Sequence, residues 1–327
     1  MGEISNTMNY YFSDRRRFAD LFNAVFFRGR PMVEADELSE ASEVYHQPKT
    51  WKAGAAKAEA GKQARRGESI HDVCKKLKTG SVLRVLTLEN QNLTDYTMPF
   101  RCMQYDAMEY GKQLDELRRE NEREGILVTD QEKLCGIRKQ DRLNPVYTLC
   151  LYHGEEKWDG PRSLADMVEF AEGEDCFQEL FNDYPLRLYC VNEAKDLDLF
   201  HTEVAQLFRA LQYRGDRVGL KRLLENNREY QHLDRDTLEA VSVLLKLPAV
   251  WKKRNRFMSV NGKKEEFDMC LAVREWEAEA KRIGREEGGL SMLFQLVKEG
   301  LLSSVDAARK AGLSEEVFLE KMNALGK

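Results

Sequence analysis

Long apolar runs, closely spaced cysteines and a surplus of basic residues are all missing from this sequence. No stretch of the 327 residues approaches the roughly 20 consecutive apolar residues that a membrane-spanning helix needs. The N-terminal segment "MGEISNTMNYYFSDRRR" has no apolar core of the kind found in secretory signals. These absences predict a soluble, cytoplasmic protein without a membrane partner.

The cysteines are odd in number and unpaired in spacing. No two stand in the C-x-x-C spacing of a zinc or redox motif, and several lie inside apolar runs, which favours buried, reduced thiols over disulfides or a zinc site. The histidines are scattered, and His71 beside Asp72 is the one of interest. The cysteines are Cys74, Cys102, Cys135, Cys150, Cys176, Cys190 and Cys270.

Basic charge is local rather than general. The formal net charge is −5, so the overall charge does not indicate a nucleic-acid-binding protein. Residues 48–68 are rich in Ala, Gly and Lys, with six Lys and Arg against two Glu. This segment is either a flexible basic insertion that suits a phosphate backbone or a solvated linker.

The first 195 residues alternate helical and strand patterns, which is typical of an α/β fold. The apolar run "SVLRVLTL" is nearly continuous, so its strand should be covered by helices on both faces. A helix should begin at Ser13 or Asp14 and end at Gly29, and a long helix should start near Pro99. Further elements are predicted as strands over 144–154 and 184–193 and a short helix over 163–171.

From residue 196 the pattern is almost wholly helical. It predicts a helical region over 196–290, with a break at "EEGG", and a C-terminal helical hairpin over 291–327. That hairpin has the rhythm of a helix-turn-helix, but helices that only pack together share this rhythm. DNA contact and homo-oligomer formation by this tail are both open.

The candidate site lies in "TLENQN", where the buried strand ends in polar residues. Glu89 and Gln91, two positions apart on a strand, point to the same face. Mg²⁺ prefers oxygen ligands, usually one or two carboxylates with waters and phosphate. Glu89 and the backbone carbonyl of Asn90 could supply oxygens, and Gln91 could orient a water or phosphate.

A second carboxylate is expected from Asp72. If 70–77 is a strand and the turn lies between Gly80 and Ser81, then Asp72 faces Glu89 across a hairpin, at the close spacing of cross-strand neighbours. Ile70, Val73, Cys74 and Leu77 also fit one face of a helix, and in that case Asp72 would be an exposed helical charge. The sequence leaves both alternatives open.

These residues resemble a known family. "FADLFNAVFF", the strand ending in Glu-x-Gln and "MPFRCMQYDAMEYGKQ" look like the Rpn family of recombination-promoting nucleases and transposases, in the PD-(D/E)XK nuclease superfamily. The resemblance covers roughly residues 9–325. It implies a restriction-endonuclease-like mixed sheet flanked by helices, followed by an all-helical region, over a nuclease-like domain of residues 1–195.

The resemblance also implies a function and residue roles. It implies a Mg²⁺-dependent DNA endonuclease in which Asp72 and Glu89 hold the ion with Asn90, and Gln91 stands where the superfamily usually has Lys. From their place on the following helix, Arg101 and Lys112 are predicted to contact nucleic acid, and the alternative for Arg101 is a solvated side chain. The superfamily often has a further acid on the first helix, where neither Asp14 nor Asp20 aligns cleanly. A relative that binds DNA or oligomerises without cutting is therefore the alternative.

Overall fold

The computed structural model describes residues 3–41, 72–79, 82–173, 175–261 and 264–324. The predicted basic insertion 48–68 and His71 lie outside the described residues. The helices are α1 (Glu3–Ser13), α2 (Arg15–Phe27), α3 (Met98–Glu124), α4 (Asp130–Cys135), α5 (Asp175–Leu180), α6 (Val204–Gln212), α7 (Arg217–Asn226), α8 (Arg235–Leu244), α9 (Pro248–Lys252), α10 (Met269–Lys298), α11 (Ser304–Ala311) and α12 (Glu315–Ala324). The strands are β1 (Leu38–Glu40), β2 (Val73–Thr79), β3 (Val82–Gln91), β4 (Val146–Tyr152), β5 (Leu188–Cys190), β6 (Met258–Asn261) and β7 (Lys264–Phe267).

The first five strands form one mixed sheet in the order β1-β2-β3-β4-β5. β2 runs antiparallel to β1 and β3, whereas β3, β4 and β5 are parallel to one another. A separate antiparallel hairpin, which the sequence did not predict, pairs β6 with β7. The prediction of an α/β protein with a mixed sheet and a helical C-terminal region is confirmed at this level.

The sheet is covered by helices on both faces, as the apolar pattern of β3 predicted. Leu86 and Leu88 face the main core, which they share with α1, α2 and the helices after residue 203. On the opposite face Cys150 packs in a smaller cluster with Met98 and Cys102 of α3. This arrangement places α3 against the same face as the odd-numbered residues of β3.

Helix ends follow the capping signals of the sequence at α2. The Asp14 side chain accepts hydrogen bonds from the backbone N–H groups of Arg16 and Arg17, which caps the first turn. The helix ends where Arg28 and Gly29 adopt positive φ angles of 55° and 77°. Both predicted boundaries of this helix are confirmed.

The short helix predicted over 163–171 is wrong, because this segment contains only a 3₁₀ turn at Ala165–Met167. The Asp166 carboxylate accepts hydrogen bonds from the backbone N–H groups of Arg162 and Ser163, and Asp183 accepts one from Ala165. Such side-chain contacts to the backbone compete with helical hydrogen bonds.

The predicted break at "EEGG" is also wrong, since α10 runs through Gly288 and Gly289 without interruption. A glycine inside a helix costs about 1 kcal/mol. Packing at both ends of α10 offsets this cost: Met269 lies in the main core, and Phe294 packs on Phe318 of α12 with ring centroids 4.8 Å apart. α11 and α12 thus form a hairpin that packs on the end of α10.

Four cysteines are buried as predicted, but Cys135 and Cys176 are exposed and Cys190 is half-buried. All seven are free thiols. Among the described residues, none of the helices combines the length and the apolar character that a membrane span needs.

Candidate functional site

The hairpin of β2 and β3 has the register that the sequence predicted. Val73 pairs with Leu88 and Thr79 with Val82, so Asp72, which directly precedes β2, lies opposite Glu89. The strand alternative for residues 73–79 is correct and the helical one is wrong. β2 is held as a strand because it pairs with β1 on one side and β3 on the other.

Hydrogen bonds to neighbouring elements fix the Asp72 carboxylate. Its Oδ1 accepts from the side-chain amide of Asn9 (2.9 Å), and its Oδ2 accepts from the backbone N–H of Asn90 (2.8 Å). The Asn90 amide in turn donates to Oδ1 of Asn9 (2.6 Å). Asn9 of α1 therefore ties the first helix to the ends of β2 and β3.

Glu89 is buried, with 1% of its surface exposed. Burial raises the pKa of its carboxyl well above the usual range, and the charge of Asp72 raises it further. Arg101 and a hydrogen bond from the backbone N–H of Asp72 act in the opposite direction. The Glu89 carboxyl thus lies close to Asp72 and has a strong tendency to hold a proton.

A network of hydroxyl groups and one carboxylate lies on the face of the sheet that α3 covers, the face to which Glu89 points. Asp106 of α3 accepts hydrogen bonds from Thr148 (2.5 Å) and from the Tyr184 hydroxyl (2.6 Å), and Thr148 contacts the hydroxyl of Thr87 (2.6 Å). The Asp106 charge also raises the pKa of Glu89. Asp106 is therefore a second acid near Glu89.

Arg101 is a cation whose charge acts on the Glu89 carboxyl. It forms a salt bridge with Asp95 and donates a hydrogen bond from Nε to the Tyr105 hydroxyl (3.2 Å). Its charge lowers the pKa of Glu89, although burial outweighs this effect. Arg101 is half-buried, and its contact with nucleic acid stays a prediction.

Lys112 lies in the middle of α3, about three helical turns after Arg101. Its Nζ is 4.0 Å from Glu109, and the neighbouring Gln113 bonds to the backbone of Asn144, just before β4 begins. Glu89 instead pairs with Cys150 near the carboxyl end of β4. Asn144 and Cys150 are six residues apart along an extended chain, a distance of about 20 Å. The structure does not bring Lys112 to Glu89.

Gln91 and Asn90 occupy the end of β3, as expected. Gln91 is half-buried, pairs with Tyr152, and its carbonyl accepts a hydrogen bond from His153 (2.9 Å). The side-chain Oδ1 of Asn90 is buried and accepts no hydrogen bond from the described residues. Asn90 thus offers an oxygen beside Asp72.

Asp14 and Asp20, the two acids considered on the first predicted helix, make hydrogen bonds away from the candidate site. Asp14 caps α2. Asp20 is buried and accepts hydrogen bonds from the backbone N–H groups of His201 and Thr202 and from the Thr202 hydroxyl. The residue of the first helices that contacts Asp72 is Asn9 of α1, which is an amide and not the expected acid.

Sequence reasoning missed Asn9, Asp106, Thr148 and Tyr184. A signal existed for α1, because Ile4, Met8, Tyr11 and Phe12 recur at helical spacing, and the last three are buried. Asp106 lies in the predicted helix after the site, but its neighbours Thr148 and Tyr184 are 42 and 78 residues away along the chain.

No group of three or more His, Cys, Asp or Glu side chains arranged to hold a metal ion occurs in the part of the chain that the structure describes. Comparison with protein-family models, with curated proteins and with solved structures gave no match.

Proposed function

We propose that this protein is a Mg²⁺-dependent DNA endonuclease with a restriction-endonuclease-like core. The observation that carries the proposal is the juxtaposition of Asp72 and Glu89 at the end of the β2–β3 hairpin. Two carboxylates from neighbouring strands are the protein ligands that Mg²⁺ commonly uses beside water and phosphate. The mixed sheet with helices on both faces is compatible with the implied core.

Two features of these residues support the binding of a hard divalent cation. Burial raises the pKa of the Glu89 carboxyl, and the charges of Asp72 and Asp106 raise it further. A bound cation would reduce the repulsion among these three acids. The backbone carbonyl of Asn90 is the further oxygen proposed at this end of β3, because the Asn90 side chain points to the opposite face of the sheet, toward Asn9 of α1. Asp72, Glu89 and Asn90 would hold the ion. When bound, it would supply charge neutralisation and activation of water.

The chain's own residues have separate tasks in this proposal. Asn9 and the Asn90 backbone fix the orientation of Asp72 through hydrogen bonds. Arg101 stands where a cation can attract the phosphodiester. Gln91 has no titratable group, so it positions water or phosphate and another group must accept the proton.

The experiment is a nicking assay on supercoiled plasmid with purified protein in Mg²⁺ or EDTA. We expect Glu89→Gln to reduce nicking by about 1000-fold, because a metal ion contributes several kcal/mol to the transition state. Gln is preferable to Ala because it retains the volume of this buried side chain. Glu116→Gln, an exposed position on α3, is the matched control and should leave nicking unchanged.

Equal nicking by the Glu89→Gln and Glu116→Gln proteins would contradict the assignment of the site. A second variant, Asp72→Asn, separates the two carboxylates. It should reduce nicking to a similar extent while it preserves a polar side chain of the same size.

A second candidate function is DNA binding without cleavage. Both oxygens of Asp72 already accept hydrogen bonds, and Glu89 has a strong tendency to be protonated, which favours this alternative. DNA binding that weakens steeply with salt, with no nicking in Mg²⁺, would support it.

A further inference from the structure

A cleft of about 610 Å³ opens at the carboxyl ends of β3 and β4. Its lining includes residues 92–94 and Tyr152 on the sheet side and Arg214 and Lys246 from the helical region. The charged side chains that line it are three acids and three bases: Glu155, Glu156, Asp159, Lys157, Arg214 and Lys246. We name it the carboxyl-edge cleft. Because Tyr152 pairs with Gln91, the cleft adjoins the end of the candidate site. Ligands commonly bind at the carboxyl edge of parallel strands.

Arg214 is a buried cation with unused donors. Its side chain is 11% exposed, and Nη1 donates a hydrogen bond to the carbonyl of His153 (3.1 Å). Nε and Nη2 are buried and have no acceptor among the described residues. The nearest carboxylate oxygen, Oε1 of Glu155, is 3.9 Å from Nε, which is too long for a hydrogen bond.

The neighbouring His153 side chain does not neutralise the positive charge of Arg214. It is 1% exposed, and neither ring nitrogen has a partner within the described part of the chain. Burial and the Arg214 charge lower its pKa to about 4, so the imidazole is neutral at physiological pH. A buried guanidinium with free donors is costly unless an anion pairs with it.

Lys246 brings a second cation into the cleft from an unusual backbone position. It follows the C-terminus of α8 with a φ of 56°, where glycine is the usual residue. The backbone N–H groups of Lys246 and Leu247 donate to Val243 and Ser242 (3.1 and 2.7 Å), which closes the helix end. Its Nζ is 4.0 Å from the same Glu155 oxygen that faces Arg214.

We propose that the carboxyl-edge cleft binds a phosphate group of a nucleic-acid strand, with Arg214 and Lys246 as the donors. This inference rests on the proposed function for the choice of a nucleic acid as ligand. Arginine donors suit phosphate oxygens, and a strand with one phosphate near Glu89 would extend past Gln91 into this cleft. Glu155 competes with the phosphate for both cations.

The primary test compares Lys246→Gly with Arg28→Gly. Both remove a positive charge and replace a non-glycine residue at nearly the same φ, 56° and 55°, but Arg28 lies at the end of α2, outside the cleft. Both changes should therefore raise the melting temperature. In EDTA, we expect Lys246→Gly to weaken binding of a short fluorescein-labelled DNA strand about threefold and to reduce the salt slope by about one.

Two further variants test the other groups. Arg214→Gln should weaken binding about tenfold, because it removes a charged donor. Glu155→Gln should tighten binding about threefold, because it removes the competing carboxylate. Equal affinities of the Lys246→Gly and Arg28→Gly proteins, or weaker binding by Glu155→Gln, would overturn the proposal.

A parallel measurement with inorganic phosphate distinguishes the source of the ligand. Competition of inorganic phosphate with the labelled strand, absent in Lys246→Gly, supports the proposal. Stabilisation by inorganic phosphate without any binding of the strand would overturn the nucleic-acid assignment. If Glu89→Gln leaves nicking intact while Lys246→Gly weakens DNA binding, the proposed catalytic site is wrong and the phosphate site in the cleft is supported. If Glu89→Gln abolishes nicking while Lys246→Gly leaves DNA binding unchanged, only the phosphate site in the cleft is wrong.

Discussion

The backbone N–H of Asp72 donates a hydrogen bond to the Glu89 carboxylate, and the Asp72 carboxylate accepts one from the residue after Glu89. Each acid is thus held by the backbone of the strand that carries the other. This exchange brings two negative charges together beside α1 and α3. Burial, and after it the charge of Asp72, raises the pKa of Glu89, so Glu89 retains its proton more strongly in the folded chain than in the unfolded chain.

We first expect Glu89→Gln to stabilise the fold in EDTA, and more so at high pH. The folded-state pKa of Glu89 is raised, so its contribution to stability is complete below the unfolded pKa of roughly 4.3 and is lost as pH rises through the folded pKa. Gln has no such loss. The free energy of unfolding should exceed that of wild type by about 1–3 kcal/mol at pH 8.

Urea unfolding at pH 5 and pH 8 measures this difference. Glu116→Gln removes the same charge from an exposed part of α3 and should show little change at either pH. A stabilisation by Glu89→Gln that is equal at both pH values would show that burial does not raise the pKa of Glu89.

The second prediction concerns Asn9, whose amide donates to Asp72. Asn9→Asp replaces this donor by a carboxylate, so two acids would face each other in EDTA and the free energy of unfolding should fall by about 1 kcal/mol or more. A divalent cation should reverse this loss, because the variant supplies a third carboxylate beside Asp72 and Glu89. Urea unfolding in EDTA and in millimolar Mg²⁺ measures the reversal.

Asn6→Asp is the matched control, since Asn6 is an exposed residue of the same helix. It should show no comparable gain from Mg²⁺. If Asn9→Asp is destabilised equally in EDTA and in Mg²⁺, the end of the hairpin does not bind a divalent cation.

The hairpin and its two acids could be predicted from local sequence because the strand alternation and the turn position fix the register. The ambiguity at Val73, Cys74 and Leu77 could not be resolved locally, since these positions fit one face of a helix as well as a strand. Pairing with both β1 and β3 decides for the strand. Tertiary contacts thus settled what periodicity left open.

The residues that contact the candidate site could not be predicted from the sequence, for a different reason. Asn9 matters because α1 docks on the end of β3, and Asp106 matters because Thr148 and Tyr184 converge on it. Asp20 shows the reverse case: an acid on a predicted helix that accepts backbone hydrogen bonds from residues 181 and 182 positions away. Contacts at such sequence separations leave no local pattern.

The last prediction concerns acid sensitivity at His153. Burial and Arg214 lower the pKa of its imidazole to about 4, so the folded chain holds it neutral while the unfolded chain protonates it near 6.5. Stability from this group is complete above pH 6.5 and is lost as pH falls through the folded pKa, a loss of about 3 kcal/mol. His153→Leu should remove this loss, because both ring nitrogens lack partners among the described residues and leucine is of similar volume.

Urea unfolding at pH 7 and pH 4.5 measures the loss of stability, with His201→Leu at an exposed position as control. If wild type and His153→Leu lose equal stability between these pH values, then His153 is protonated in the folded chain and Arg214 does not face a neutral imidazole.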